Sequence, residues 1–303
     1  MIRVIFMGTP DYASRILERL VAEAGIEVVA AYTQPDKPVG RKKVMTPPPV
    51  KTVAQEHGIP VYQPERLRDE AVVAELRQIP CDFIVVAAYG QILPQSVLDH
   101  APCINLHASI LPHYRGASPI QQTLLNGDSE TGVTAMLMDA GLDTGAIIKI
   151  GRIAVGDDEM VASLFDRLTE TAAELTVDVL EHFADYAPQP QEEALATHCS
   201  KISKADGEIA FDDAKTIYNQ YRAFTPWPGI YLPDGLKLKR MALESAAGSH
   251  IPGEILRIDE DSVVVGCSEG ALRLFTVQPP SKKEMAATDY LNGKRLAVAD
   301  LLA

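Results

Sequence analysis

The chain has 303 residues, 47% of them hydrophobic and 23% charged, the proportions of a soluble globular protein and of neither a disordered nor a collagen-like one. Its 28 Lys and Arg stand against 41 Asp and Glu, a formal charge of −13; taken as a sum, this argues against a nucleic-acid partner, because phosphate backbones attract basic surfaces. The four cysteines, Cys81, Cys103, Cys199 and Cys267, are far apart and form no CxxC pair, which speaks against a disulfide framework or a zinc site and suits reduced thiols in the cytoplasm.

Residues 2–7 are an apolar run ending at Gly8; they predict a buried strand and lack the basic and cleavable features of a signal peptide. Ile16, Leu17 and Leu20 then share a helical face, and residues 27–33 predict a second strand. Residues 82–87 and 103–106 are two further short apolar strands. The longest apolar run, 83–88, is far below the roughly 18 residues of a membrane span. Strands buried on both faces and alternating with helices make an α/β fold with an open, mostly parallel, Rossmann-like sheet. Segments 131–138 and 146–150 extend it. From Met160 a long helix is predicted, with Leu164, Leu168, Leu175, Val179 and Phe183 recurring near the 3.6-residue period. A polar stretch follows, rich in Pro and Gln, with the composition of a linker. After it comes one helix, 214–224, and then short alternating strands at 236–243, 253–258, 262–267 and 271–277, which suggest a small barrel. The expected organisation is therefore an α/β domain over 1–187, a linker over 188–204 and a small β-barrel domain over 205–303.

The first strand–helix turn, Gly8-Thr9-Pro10-Asp11-Tyr12-Ala13, stands where a dinucleotide fingerprint would be. It lacks the second glycine that admits a pyrophosphate, and Pro10 removes a backbone donor, so a nicotinamide or flavin dinucleotide is not expected. Asn105 and His107 are two apart at the end of a predicted strand and point to one side while Leu106 points to the other. An amide able to hold a carbonyl oxygen then stands beside an imidazole able to move a proton, at a strand end where open α/β sheets place their sites. Alone, such a triplet is more often an Asx turn beside a satisfied core histidine. A carboxylate completes the set: Asp143 lies between Gly141 and Gly145, and Asp139 is the competing choice. Spacing leaves the two open.

Taken together, Asn105-x-His107, Ser109-Ile110-Leu111-Pro112, Arg115-Gly116-x-x-Pro119-Ile120 and Gly141-Leu142-Asp143-Thr144-Gly145 resemble the 10-formyltetrahydrofolate-dependent formyltransferase family, and the likeness runs over essentially the whole chain. The resemblance implies Asn105, His107 and Asp143 as the catalytic trio and Ser109, Ile110, Leu111 and Pro112 as contacts to the folate. It implies 10-formyltetrahydrofolate as the formyl donor and no metal. Ile110 stands where the family often has leucine, a conservative change. Residues 33–43 resemble the insertion loop of the members that act on tRNA, which implies formylation of the free amine of methionyl-tRNA for translation initiation. Formyl transfer to a sugar amine and hydrolysis of formyltetrahydrofolate are the alternatives within the family. Lys37, Arg41, Lys42 and Lys43 are the implied tRNA contacts; residues 37–51 also hold Lys51 and no Asp or Glu.

The resemblance further implies an OB-like fold for the C-terminal barrel and contact of that barrel with the tRNA. Lys237, Lys239, Arg240, Lys282, Lys283, Lys294 and Arg295 would lie on its surface. Trp227, in the segment from Ala223 to Gly229, is expected to pack at the domain junction. A cytoplasmic monomer with no membrane partner is expected. The net charge does not oppose this. Residues 128–193 carry fifteen Asp or Glu against Lys149, Arg152 and Arg167, so almost all of the negative excess sits there and the 37–51 loop is basic.

Overall fold

The computed structural model describes residues 1–40 and 42–302; Arg41 and Ala303 lie outside the described residues. The chain forms two compact units. One comprises Met1–Pro119, Glu130–Val155 and Leu164–Cys199, and the other Ile120–Ser129, Gly156–Ser163 and Ser200–Ala303.

The first part of the chain runs β1 (Ile2–Gly8), α1 (Asp11–Ala22), β2 (Ile26–Tyr32), β3 (Lys37–Val39), β4 (Val44–Thr46), α2 (Pro49–Glu56), β5 (Val61–Tyr62), α3 (Glu70–Leu76) and β6 (Phe83–Ala87). It continues through α4 (Gln95–Leu98), β7 (Cys103–His107), β8 (Arg115–Gly116), α5 (Pro119–Asn126), β9 (Glu130–Leu137), β10 (Ile147–Ala154), α6 (Val161–Glu181) and β11 (His198–Cys199). Seven strands form one sheet in the order β10-β9-β7-β6-β1-β2-β5. The strands β5, β2, β1, β6 and β7 are parallel, and β9 and β10 close one edge as an antiparallel hairpin. The short connection from β9 to β10 allows only antiparallel pairing. In β1, Ile5 and Met7 face a core with Ala30, Tyr32, Ile84 and Val86. Val4 and Phe6, on the opposite face, are also fully buried. Burial on both faces is why these strands read as unbroken apolar runs.

Strand order reverses at β1, with β2 and β5 on one side and β6 and β7 on the other. Such a reversal opens a crevice at the carboxyl ends of the strands. Gly8 ends β1 there. A Cβ on it would stand 2.5 Å from Ala13 Cβ and 2.9 Å from the Ala87 carbonyl, so this glycine serves close strand–helix packing. The Pro10 carbonyl accepts from the N–H groups of Ala13 and Ser14 and starts α1.

Leu164, Leu168, Leu175 and Val179 of α6 are buried as their spacing requires. Phe183, expected on the same helix, lies past its end in a 3₁₀ turn, where its ring packs edge-on against Phe83 at 4.9 Å. The polar stretch after it is bonded to the first unit at several points. Gln189 and Ile147 exchange two backbone hydrogen bonds of 2.8 Å, Arg115 N–H donates to the Thr197 carbonyl, and β11 pairs with β8.

The second unit contains α7 (Ala214–Phe224), β12 (Ile230–Tyr231), β13 (Lys237–Ser245), β14 (Ile255–Ile258), β15 (Val263–Gly266), β16 (Ala271–Gln278), β17 (Met285–Ala286) and α8 (Ala287–Lys294). The strands form an antiparallel sheet in the order β12-β13-β16-β15-β14, with β17 on β16. The Asp213 side chain caps α7 by accepting from Thr216 N–H at 2.6 Å. Trp227, expected to pack, is instead 58% exposed. It sits in the turn between Pro226 and Pro228, where no helix or strand face directs it inward. No helix among the described residues is long and apolar enough to cross a membrane, and all four cysteines are free.

Gly8→Ala is expected to lower the stability of the protein by about 1–3 kcal/mol, the cost of overpacking a fixed site. Chemical denaturation of the two proteins measures the difference.

Candidate active site

The strand β7 delivers the first two groups. Leu106 is buried on one face, while Asn105 and His107 share the other. The strand is held on both sides, by β6 through Val86 opposite Asn105 and by β9 through Met136 opposite Asn105 and Thr134 opposite His107. Asn105 is half-buried, and its side-chain amide has no protein partner among the described residues. Both of its N–H donors are therefore left for a ligand.

His107 is buried, with 7% of its surface exposed. Its Nε2–H donates to the Tyr114 carbonyl at 2.9 Å, and Nδ1 faces Oδ2 of Asp143 at 3.7 Å. The carboxylate that reaches the histidine is thus Asp143. Asp139 is engaged elsewhere: its Oδ1 accepts from Gly141 N–H at 2.9 Å and from the Thr144 hydroxyl at 2.6 Å, which shapes the loop. Asp143 adopts φ +55°, a left-handed conformation that Asp tolerates better than most residues. Its Oδ2 also accepts from Gly116 N–H at 2.8 Å. Gly116 has φ +119°, and a Cβ there would collide with the Cys199 carbonyl; only glycine lets β8 approach β11 so closely.

The segment implied to meet folate follows directly. Ser109 is fully buried and its hydroxyl donates to the His113 carbonyl at 2.6 Å. Leu111 is buried too, while Ile110 and Pro112 are half-buried and are the side chains with surface to offer. Thr134, fully buried on β9, donates to the Ser109 carbonyl at 2.7 Å and accepts from Leu111 N–H at 3.1 Å. It ties this segment to the sheet.

Three more residues belong to the site, although the sequence alone assigns them no role. Cys199 Sγ lies 3.4 Å from the Tyr114 carbonyl, the same oxygen that accepts from His107, and burial pushes its thiol pKa up. Gln191 bonds to the carbonyls of Asp143 and Gly145. Arg115 is 1% exposed and grips Glu193, whose carboxyl it holds below the usual range. Arg115 is visible in the sequence only as part of a motif, and the other two carry no signal at all. Their partners are backbone atoms or residues dozens of positions away. Among the described residues no group of three or more His, Cys, Asp or Glu is placed to hold a metal.

In the basic segment β3 pairs with β4 as a hairpin. Lys37, Lys42 and Lys43 are exposed on it, as are Val39, Val44 and Met45; Arg41 lies outside the described residues. Lys51, close to them in the sequence, does not face outward with them. Its Nζ binds both oxygens of Asp36 at 2.8 and 2.9 Å. Gln63 donates to the same carboxylate at 2.8 Å, and it and Lys51 together hold the Asp36 pKa down. The three side chains clamp the base of the hairpin.

The fold is of the α/β class, and its sheet sets an imidazole beside a carboxylate at the carboxyl end of β7. A family model described as formyl transferase matches residues 2–180, and one described as formyl transferase, C-terminal domain, matches residues 201–295. The chain belongs to the formyl transferase family. The methionyl-tRNA formyltransferase of Sulfurimonas denitrificans is 62% identical to it over 301 residues, covering 99% of this chain and 100% of that one. That of Nitratiruptor sp. is 55% identical over 98% of this chain and 99% of its own length. Among solved structures, an N-formyltransferase from Helicobacter canadensis in complex with folinic acid and dTDP-3-aminofucose has the same fold, with a TM-score of 0.67 at 17% identity over 92% of this chain and 100% of that one. HypX from Aquifex aeolicus in complex with tetrahydrofolic acid has a TM-score of 0.60 at 19% identity, over 98% of this chain and 48% of its own.

Thr134→Val removes both bonds to the 109–111 segment while keeping the side-chain shape. The buried Leu111 N–H and Ser109 carbonyl lose their partner, a cost of about 1–3 kcal/mol per group. A lower urea midpoint with an unchanged slope is the expected result.

Proposed function

We propose that this chain moves the formyl group of 10-formyltetrahydrofolate onto the free amine of methionyl-tRNA, with Asn105, His107 and Asp143 as the catalytic residues. The observation that carries the reading is the Asp143 carboxylate 3.7 Å from His107 Nδ1, on a strand that also presents the free amide of Asn105. Relatives from 45% to 62% identical over the whole chain bear the name methionyl-tRNA formyltransferase. They favour this acceptor over a sugar amine, and the exposed lysines of the hairpin favour it further.

In the reaction a bond forms between the methionyl nitrogen and the formyl carbon, and the bond from that carbon to folate N10 breaks. The amine loses one proton and N10 gains one. Negative charge gathers on the formyl oxygen as the amine adds. The Asn105 N–H group and the Nδ1–H of protonated His107, whose Nε2–H is held by the Tyr114 carbonyl, offer that oxygen fixed donors, which a preorganised site supplies without the reorganisation that water would need. Asp143 orients the imidazole, favours its charged form in the transition state and accepts the proton that the amine gives up. His107 returns a proton to N10 as the leaving nitrogen departs. Ile110 and Pro112 offer apolar surface to the folate, and Ser109 and Leu111 shape the segment from within.

Lys37, Lys42 and Lys43 meet tRNA phosphates from the hairpin, and the sequence resemblance adds Arg41 to them. The C-terminal unit adds exposed Lys237, Arg240, Lys282, Lys283, Lys294 and Arg295, with Arg240 stacked over the Phe275 ring at 4.5 Å. An antiparallel sheet bearing such groups is an ordinary platform for nucleic acid. The division of labour is a catalytic domain over 1–187, a connecting stretch over 188–204 and a tRNA-contacting domain over 205–303. The reading extends to a cytoplasmic enzyme that acts as a monomer.

Labelled formyl is expected to pass from 10-formyltetrahydrofolate to charged initiator tRNA, and not to uncharged tRNA. The double variant Lys42→Ala, Lys43→Ala should raise KM for tRNA and spare that for folate. Its log–log salt slope should flatten by about 1 for each phosphate no longer neutralised. Equal damage to both KM values tells against the hairpin as a tRNA-binding element, and formate release without an amine acceptor tells against the transfer itself.

A further inference from the structure

Gln191 stands in the polar stretch after α6, between two parts of the site. Its Nε2 donates to the Asp143 carbonyl at 2.8 Å and to the Gly145 carbonyl at 2.8 Å. Its Oε1 accepts from Nε and Nη2 of Arg115 at 3.1 and 3.0 Å. Both donors and the acceptor oxygen of the amide are therefore in use. Arg115 is itself buried, and Nη1 and Nη2 reach the two oxygens of Glu193 at 3.0 and 2.9 Å. The next residue is Gly116, whose N–H holds Oδ2 of Asp143. The loop bearing Asp143 is thus gripped twice, through its carboxylate by Gly116 and through its backbone by Gln191. Both grips lead to β8.

We propose that Gln191 is a positioning residue: by holding the carbonyls of Asp143 and Gly145 it aims the Asp143 carboxylate at Nδ1 of His107. The inference rests on the role given to Asp143 above. Without Gln191, Asp143 would keep its residue type and its bond to Gly116, but the left-handed backbone at φ +55° would lose the two bonds that define where its peptide lies. Displacements of about 1 Å in such a site reduce turnover on the order of 10²-fold.

The two ends of the amide do different work, and this makes the idea separable from a simple structural role. In Gln191→Glu, the oxygen facing Arg115 remains and gains charge, so the anchor to β8 is kept. The donors to the two carbonyls are lost, and a second anionic oxygen is set against them. Gln191→Met keeps the bulk and donates nothing, and serves as the second variant should the first fail to fold.

The test is a double-mutant cycle in formyl transfer by the full chain, with each Gln191 variant made alone and together with Asp143→Ala. Alone, each variant is expected to lower kcat on the order of 10- to 10²-fold, with KM for methionyl-tRNA maintained and the protein still folded at the assay temperature. Combined with Asp143→Ala, neither should bring any further loss, because the residue it positions is gone. Wild-type kcat in both single variants overturns the proposal, as does a loss that persists undiminished in the Asp143→Ala background. Wild-type turnover in Asp143→Ala alone removes the role of Asp143 itself, and the positioning role with it; the persisting loss removes the positioning role only.

Discussion

The approach of His107 to Asp143 is the constraint on which the rest of the site depends. The two partners come from separate segments, and neither could hold the geometry from its own. His107 is fixed because β7 is paired on both sides, by β6 and β9, and because its Nε2 is bound to the Tyr114 carbonyl. Asp143 is fixed because Gly116 takes its carboxylate and Gln191 takes its backbone. The polar stretch after α6 then secures Tyr114 and Arg115 through Thr197, whose hydroxyl accepts from Tyr114 N–H and whose carbonyl accepts from Arg115 N–H. Separate parts of the chain thus converge on one imidazole.

That dependence on backbone atoms decides what the sequence could and could not disclose. The strands were legible because burial on both faces leaves an apolar signature that needs no partner to be read. Residues 2–7, expected as a strand, form β1 as Ile2–Gly8, and the helix expected at 214–224 is α7, Ala214–Phe224. Asn105 and His107 were legible as a pair because a strand's two-residue repeat puts them on one face. The choice between Asp139 and Asp143 was not, since both lie in one glycine-bearing loop and only the fold shows that Asp139 is spent on Gly141 and Thr144. Gln191 was hidden altogether: its surroundings have the composition of a linker, and its partners are two carbonyls and an arginine far away in sequence. Trp227 departs from expectation for the opposite reason. A large apolar side chain suggests burial, but a turn between two prolines offers no face to bury it against.

Charge behaves in the same way, as a local and not a total quantity. The −13 of the chain collects in residues 128–193, and part of it is consumed in pairs such as Arg15 with Asp166 and Arg152 with Glu130. The hairpin β3–β4 keeps Lys37, Lys42 and Lys43 exposed, while Asp36 takes up Lys51 at its base. One positive charge is used to hold the hairpin in place, and the three exposed lysines are the ones to which the proposal gives phosphate contact. Exposed valines and a methionine beside those lysines are an unfavourable surface in water alone and a reasonable one for a segment that meets a partner.

The mechanism stands or falls on His107 acting on the reacting atoms and not merely filling the end of β7. Single-turnover transfer of labelled formyl to methionyl-tRNA by His107→Ala, at saturating donor and with the melting temperature measured in parallel, tests this most directly. The expected rate is lower by about 10²- to 10⁴-fold, the usual contribution of a positioned acid–base group, in a protein that remains folded. A folded His107→Ala variant that transfers formyl at close to the wild-type rate would contradict that role.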